Sequence, residues 1–147
     1  MMGQVGLAFV LCFAIGFERE LRGAPAGDRT YSLVGTAAAA VTAVTLGNSP
    51  QAIGGVVTGV GFIGAGLVLR GDGGMIKGVT SAAAVFTATG IGVVAGTGHP
   101  LLAVFVTGLA LVALELRYVP LLDRLDARRY VGRVPDDTAP PRPRGGS

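Results

Sequence analysis

The stretch TYSLVGTAAAAVTAVTLGNSPQAIGGVVTGVGFIGAGLVL, residues 30–69, contains no Asp, Glu, Lys or Arg. Residues 1–17 and 78–114 are also uncharged, and only 14% of the 147 residues carry charge, against about a quarter in soluble domains. A bilayer core about 30 Å thick is crossed by a helix of roughly 17–25 apolar residues, whose backbone groups are satisfied within the helix. The uncharged tracts therefore predict membrane-spanning helices.

Polar turns divide the tracts into five spans. The second tract is interrupted at residues 48–51 and the third at residues 97–100. The sequence thus predicts an all-α, polytopic membrane helix bundle with helices at about residues 1–17, 31–47, 53–69, 79–96 and 101–116. Residues 1–119 are the expected transmembrane domain. Residues 120–131 mix leucines with charges and predict a short amphipathic interfacial helix, and the proline-rich residues 132–147 predict a disordered cytoplasmic tail.

The basic residues indicate the orientation, because short cytoplasmic loops of membrane proteins carry an excess of Lys and Arg. They follow spans one, three and five, and they are Arg19, Arg22, Arg29, Arg70, Lys77, Arg117, Arg124, Arg128, Arg129 and Arg133. The other two loops contain none. This pattern predicts an N-terminus outside the membrane and a C-terminus in the cytoplasm. It also explains the net charge of +3, so we expect no nucleic-acid partner.

The segment GVGFIGAG, residues 59–66, matches the dinucleotide-binding pattern G-x-G-x-x-G. That motif requires a preceding strand and an acidic residue about 20 residues later, whereas here it lies inside an apolar span. Small residues let membrane helices approach closely, which favours a packing role. We expect spans two, three and four to form the packed centre, with spans one and five nearer the lipid. The expected helix-packing motif consists of Gly55, Gly59, Gly61, Gly64 and Gly66.

The most polar segment is residues 16–31, at the cytoplasmic end of span one. Glu18 and Arg22 are four residues apart, so they can pair on one helix face if the helix continues. We expect a functional polar cluster at the cytoplasmic mouth of the bundle. Its candidate members are Glu18, Arg22, Arg29, Thr30, Arg70, Lys77 and Thr80. The alternative is that these residues only anchor the interface and set the topology, which is the favoured interpretation for Arg19 and Glu20.

Three segments resemble the signatures of the MgtC/SapB family: GFERELRGAPAGDRTYSLVGTAAA, GVGFIGAGLVLR and KGVTSAAAVFTATGIGVVAG. The resemblance covers roughly residues 14–98. It implies an inner-membrane protein linked to growth under magnesium limitation and, in pathogens, to virulence through survival in macrophages. The family positions carried over are Glu18, Arg19, Arg22, Pro25, Gly27, Arg29, Thr30, Gly61, Gly64, Gly66, Gly78, Thr80 and Ala82. Tyr31 stands where the family usually has His, Asp28 replaces an apolar residue and Lys77 replaces Arg. The chain is expected to be a short form without the soluble C-terminal domain of longer members.

Magnesium is bound by carboxylates and water, and no Asp or Glu lies in the middle of a predicted span, which disfavours a stand-alone magnesium carrier. The expected function is therefore non-enzymatic: adaptation to low magnesium and membrane ion homeostasis through binding another membrane protein, such as a cation pump or ATP synthase. The alternative is a small ion or solute transporter or channel acting as a homo-oligomer. We expect the lipid bilayer as a partner, and no cofactor, catalytic residue or metal-binding residue.

Overall fold

The computed structural model describes residues 1–70 and 76–115, and within them the fold is helical apart from one short strand pair. The five helices are α1 (Met2–Leu21), α2 (Asp28–Thr45), α3 (Gln51–Leu67), α4 (Val79–Gly96) and α5 (Pro100–Glu115). Strands β1 (Leu69–Arg70) and β2 (Ile76–Lys77) pair antiparallel between α3 and α4. The five helices expected from the sequence are confirmed. The expected interfacial helix at 120–131 and tail at 132–147 lie outside the described residues.

Close contacts between glycines and neighbouring helices define the helix directions. Helices α1 and α2 are antiparallel, because Gly16 lies against Asp28 and Cys12 against Gly35. Helices α2 and α4 run in the same direction, since the hydroxyl of Tyr31 donates to the Ser81 carbonyl near their first turns. Helix α3 is antiparallel to α4. Consequently the link between α1 and α2 lies at the same end of the bundle as the β1–β2 pair.

This end, which we call the charged end, comprises residues 18–29 and the β1–β2 pair. It contains Glu18, Arg19, Glu20, Arg22, Asp28, Arg29, Arg70 and Lys77. The opposite end, formed by the first residues of the chain and the turns after α2 and α4, contains no charged side chain among residues 1–4, 46–50 and 97–99. The segregation of charge expected from the loops is therefore present in the fold.

The packed centre consists of α1, α2 and α4. A Cβ atom on Gly92 would fall on the Gly35 carbonyl oxygen, and one on Gly96 would lie 2.7 Å from the carbonyl oxygen of Ala39. Where α1, α2 and α4 meet, a Cβ on Gly35 would fall on the sulfur of Cys12, whose thiol donates to the Ala88 carbonyl. Only glycine allows these helix backbones to approach so closely.

The expectation that α3 belongs to the packed centre is wrong. Within the described ranges, nothing lies within 4 Å of a Cβ built on four glycines of the expected packing motif, namely Gly55, Gly59, Gly61 and Gly66. The fifth, Gly64, faces Ala82 at an ordinary contact distance of 3.7 Å, and Val60 is the one buried residue among those described in α3. Helix α1 takes the central place instead, because a stripe of Ala8, Cys12, Ile15 and Gly16 faces its neighbours.

Two of the helices, α1 and α4, are long and apolar enough to cross a membrane by length and composition. Helices α3 and α5 are apolar but shorter, with 17 and 16 residues, and α2 has 18 residues and a lower hydropathy. A helix rises about 1.5 Å per residue, so the 20 residues of α1 match the thickness of a bilayer core. That all five helices cross a membrane remains a prediction from the sequence.

Candidate functional site

Glu18 is a buried carboxylate in the last turn of α1. Its Oε2 lies 3.4 Å from Nη1 of Arg19, and its Oε1 lies 3.4 Å from Nε of Arg22. The side chains of Glu18 and Arg19 are only 11% and 13% exposed, and that of Arg22 is 32% exposed. The ion pair expected from the four-residue spacing is confirmed, because α1 continues to Leu21 beyond the apolar tract. Arg19, expected to act only as an anchor, is the more deeply buried partner.

Neither carboxylate oxygen of Glu18 has a hydrogen-bond partner in the part of the chain that the structure describes, and neither does the buried Nε of Arg19. Charges removed from water are stabilised by opposite charge, but contacts of 3.4 Å are longer than good charge-assisted hydrogen bonds. The cluster of Glu18, Arg19 and Arg22, which we call the Glu18 cluster, is therefore held together by electrostatic attraction rather than by a complete hydrogen-bond network.

Glu20 connects the end of α1 to the start of α2. Its Oε2 accepts a hydrogen bond of 3.1 Å from the backbone N–H of Asp28, the first residue of α2. A Cβ on Gly27 would fall on this carboxylate, so the glycine leaves the space that Glu20 occupies. The first N–H groups of a helix have no partner within the helix, and a negative charge there also interacts favourably with the helix dipole. Sequence reasoning missed this role, since it favoured only anchoring for Glu20.

Replacement of Glu20 tests this cap. Glu20→Ala is expected to lower the free energy of unfolding by about 0.5–1 kcal/mol, as for other lost helix N-caps. Glu20→Gln retains an acceptor oxygen and is expected to lose less. Both values can be measured by unfolding the purified protein with sodium dodecyl sulfate in mild detergent, followed by far-UV circular dichroism. Equal losses for the two variants would contradict a hydrogen-bonded cap.

Tyr31 occupies the core between α2 and α4. It is fully buried, and its hydroxyl donates a 3.3 Å hydrogen bond to the carbonyl oxygen of Ser81. This is the position at which the family resemblance expects His. In this chain it is a packing position that fixes the first turns of two helices against each other.

Tyr31→Phe removes the hydroxyl and retains the ring. The expected loss is about 1 kcal/mol of unfolding free energy, the usual net contribution of a buried hydrogen bond. The same detergent unfolding assay measures it. A variant as stable as the parent would show that the 3.3 Å contact contributes nothing.

Among the side chains that the structure describes, four other expected cluster members, Arg29, Thr30, Lys77 and Thr80, form no ion pair or hydrogen bond with Glu18. Arg29 is exposed and Thr30 is partly exposed in the first turn of α2, whereas Lys77 and Thr80 are exposed near the start of α4. Arg70 lies in β1. None of the ion pairs of Glu18 involves Arg29 or Lys77. Within residues 1–70 and 76–115, no group of three or more His, Cys, Asp or Glu side chains could hold a metal ion.

A helical bundle with apolar sides, one charged end and two helices suited to crossing a bilayer is typical of a small membrane protein. The chain belongs to the MgtC family, whose model matches residues 5–119. This confirms the resemblance found in the sequence motifs.

Three relatives show what the chain is similar to. The chain is 37% identical over 137 residues to the "Putative magnesium transporter YhiD" of Escherichia coli, covering 84% of this chain and 63% of that protein. It is 38% identical over 96 residues to "Protein MgtC" of Salmonella typhimurium, covering 63% and 41%. A Haemophilus influenzae protein is 33% identical over 132 residues, covering 80% and 55%. The chain thus spans less than two thirds of the length of these relatives. No solved structure matches it significantly.

Proposed function

We propose that this chain is a multi-pass protein of the bacterial inner membrane, with its N-terminus outside and its C-terminus in the cytoplasm. It acts without catalysis in adaptation to low magnesium and in membrane ion homeostasis, by binding another membrane protein. Membership of the MgtC family and the magnesium-related name of the Escherichia coli relative support the magnesium connection.

The observation that carries the membrane proposal is the distribution of apolar and charged surface. Large apolar side chains project from several helices, including Leu33 (70% exposed), Phe62 (86%) and Leu101 (85%). Monomeric soluble proteins rarely expose large contiguous apolar patches, whereas lipid accepts such a surface. The charged end then lies at the cytoplasmic headgroups, where basic residues are favoured.

Orientation can be tested by cysteine labelling in intact cells. The native thiol of Cys12 is buried, and Cys12→Ala provides a background without it. Ser49→Cys, between α2 and α3, is expected to react with a membrane-impermeant maleimide. Lys77→Cys, in β2, is expected to react only after the cells are opened. The reverse pattern would contradict the orientation, and recovery of the chain in the soluble fraction would overturn the membrane proposal.

The partner-binding part of the proposal is supported by the outer face of α3. Gly55, Gly59, Phe62 and Gly66 recur at intervals of three or four residues along this helix, so they share one face. All four are exposed, and the glycines contact nothing in the described chain. A face of small residues around one large aromatic ring suits close packing against another transmembrane helix.

A matched pair of glycine variants tests this face. Gly59→Leu is expected to abolish growth complementation at limiting magnesium, and capture of a membrane partner, without lowering the amount of protein in the membrane. Gly108→Leu on α5, where a Cβ also meets nothing within 4 Å, is expected to retain both. Equal activity of the two variants would contradict partner binding through α3.

A transporter is the second candidate, favoured by the name of the Escherichia coli relative. Purified protein in liposomes containing a magnesium-sensitive dye distinguishes the two. Magnesium flux that is lost in Glu18→Gln or Arg29→Gln would favour transport. Absence of flux together with specific capture of a partner would favour the first proposal.

A further inference from the structure

Arg29 lies between two adjoining cavities on the surface of the α1–α2 pair. One cavity, of about 460 Å³, has a polar lining that includes Glu20, Asp28, Arg29 and Thr30. The other, of about 270 Å³, is an apolar groove whose lining includes Phe9, Asp28 and Arg29. Because Asp28 and Arg29 line both, the two cavities are neighbours. They suit a molecule with a polar head and an apolar chain.

The polar cavity presents charges of both signs. The Arg29 side chain is exposed and forms no ion pair in the described part of the chain. Oε2 of Glu20 accepts from the N–H of Asp28, and Oδ1 of Asp28 accepts from the N–H of Arg29 at 2.6 Å. The second oxygen of each carboxylate has no hydrogen-bond donor among the described residues. One guanidinium group and two carboxylate oxygens are therefore available to a ligand.

The apolar groove extends from Arg29 away from the charged end. The rings of Phe9 and Phe13 stack with centroids 6.2 Å apart, and those of Phe13 and Phe17 follow at 6.1 Å. Gly16 lies beside Asp28 and the two helices are antiparallel, so Phe13 and then Phe9 lie progressively farther from the charged end. Leu33, on α2, lines the same groove. An acyl chain entering beside Arg29 would follow these rings towards the bilayer interior.

We propose that the two cavities together bind one phospholipid with a phosphoethanolamine headgroup. The phosphate pairs with Arg29, the ammonium group donates to the carboxylates of Glu20 and Asp28, and an acyl chain lies against Phe9 and Phe13. This site rests on the membrane location of the proposed function. The charges select the lipid class, because a choline headgroup has no N–H to donate and a glycerol headgroup has no cation for the carboxylates.

Native mass spectrometry of the full chain in detergent tests this site. The protein is mixed with equal amounts of phosphatidylethanolamine, phosphatidylcholine and phosphatidylglycerol of identical acyl chains. We expect phosphatidylethanolamine to be retained about twofold to fivefold more than either other lipid, within the range that exposed ion pairs give. Glu20→Gln, which retains a cap acceptor, is expected to lower the preference over phosphatidylcholine without abolishing it, because the carboxylate of Asp28 remains. Arg29→Gln is expected to weaken the binding of all three lipids, whereas Arg29→Lys is expected to retain most of that binding.

A matched pair of phenylalanine variants tests the apolar groove. Phe13→Ala is expected to lower retention of all three lipids severalfold, whereas Phe62→Ala, on the exposed face of α3, is expected to change none of them. Circular dichroism of each variant shows that it is folded.

Equal retention of the three lipids by the parent chain would overturn the lipid site, and so would an unchanged preference in Glu20→Gln. Conversion of a dimer to a monomer by Phe13→Ala would also overturn it, since a second copy would then cover the groove. A chain that inserts into membranes but selects no headgroup leaves the proposed function standing. A chain that does not insert contradicts the proposed function itself.

Discussion

Gly92→Ala is expected to lower the free energy of unfolding by about 3 kcal/mol. The added Cβ would fall on the carbonyl oxygen of Gly35 and lie 2.8 Å from the Cβ of Ala38. A backbone carbonyl cannot rotate away as a flexible side chain can, so α2 and α4 must separate. Overpacking of a well-packed core typically costs about 1–3 kcal/mol. We expect the upper end of that range, since separation of α2 and α4 also disturbs the contact of Gly96 with Ala39 and Thr42.

Gly90→Ala is the matched control on the same helix. A Cβ at Gly90 meets nothing within 4 Å, so only the intrinsic preference of alanine over glycine for helix remains. That preference is worth about 0.5–1 kcal/mol, and the control is expected to be slightly more stable than the parent. Detergent unfolding of both variants gives the two free energies. Similar stabilities for Gly92→Ala and Gly90→Ala would contradict the close packing of α2 and α4.

Gly61→Ala extends the comparison to α3. Gly61 belongs to the helix-packing motif that the sequence analysis expects. In the structure a Cβ on Gly61 contacts nothing, so the fold of a single chain is expected to tolerate the change. Gly61 also lies off the face formed by Gly55, Gly59, Phe62 and Gly66, so we expect partner binding to be retained; its loss would place the binding surface elsewhere on α3.

The number and bounds of the helices could be predicted because they depend on a local property. Uncharged tracts and polar turns are visible in the sequence, and α4 occupies the expected residues 79–96. Which helix lies in the centre of the bundle depends on the residues that each helix places on one face. The concentration of glycines in α3 favoured that helix, whereas Ala8, Cys12, Ile15 and Gly16 recur every three or four residues in α1 and form the buried stripe. The spacing of small and apolar residues therefore indicates the central helix better than the number of glycines does.

The same distinction applies to the candidate site. The pairing of Glu18 with Arg22 follows from helical spacing, so it could be predicted. The cap that Glu20 places on α2 joins two elements across a turn, and it requires the space left by Gly27. The hydrogen bond from Tyr31 to Ser81 joins residues 50 positions apart. Such contacts form when the helices pack against each other, and the spacing of residues along the sequence does not show which distant residues then meet.

Glu18→Ala is the second prediction with a large effect, an expected loss of about 3 kcal/mol of unfolding free energy. The substitution leaves Arg19 in a site where its side chain is only 13% exposed and where Glu18 is its ion-pair partner. An uncompensated charge in such a site typically costs about 3–5 kcal/mol. We expect the lower end, because the cluster lies at the charged end and the Arg22 side chain is already 32% exposed. Lys77→Ala, which removes an exposed charge at the same end, is expected to leave the stability unchanged.

A double variant separates the cost of burying a charge from any function of the Glu18 cluster. Glu18→Leu combined with Arg19→Met removes both buried charges and retains apolar volume, so it is expected to recover most of the stability lost in Glu18→Ala. A double variant as unstable as Glu18→Ala would contradict this account. A stable double variant that fails to support growth at limiting magnesium would show that the charges act in binding or signalling. A stable double variant that supports growth would show that these charges serve the fold alone.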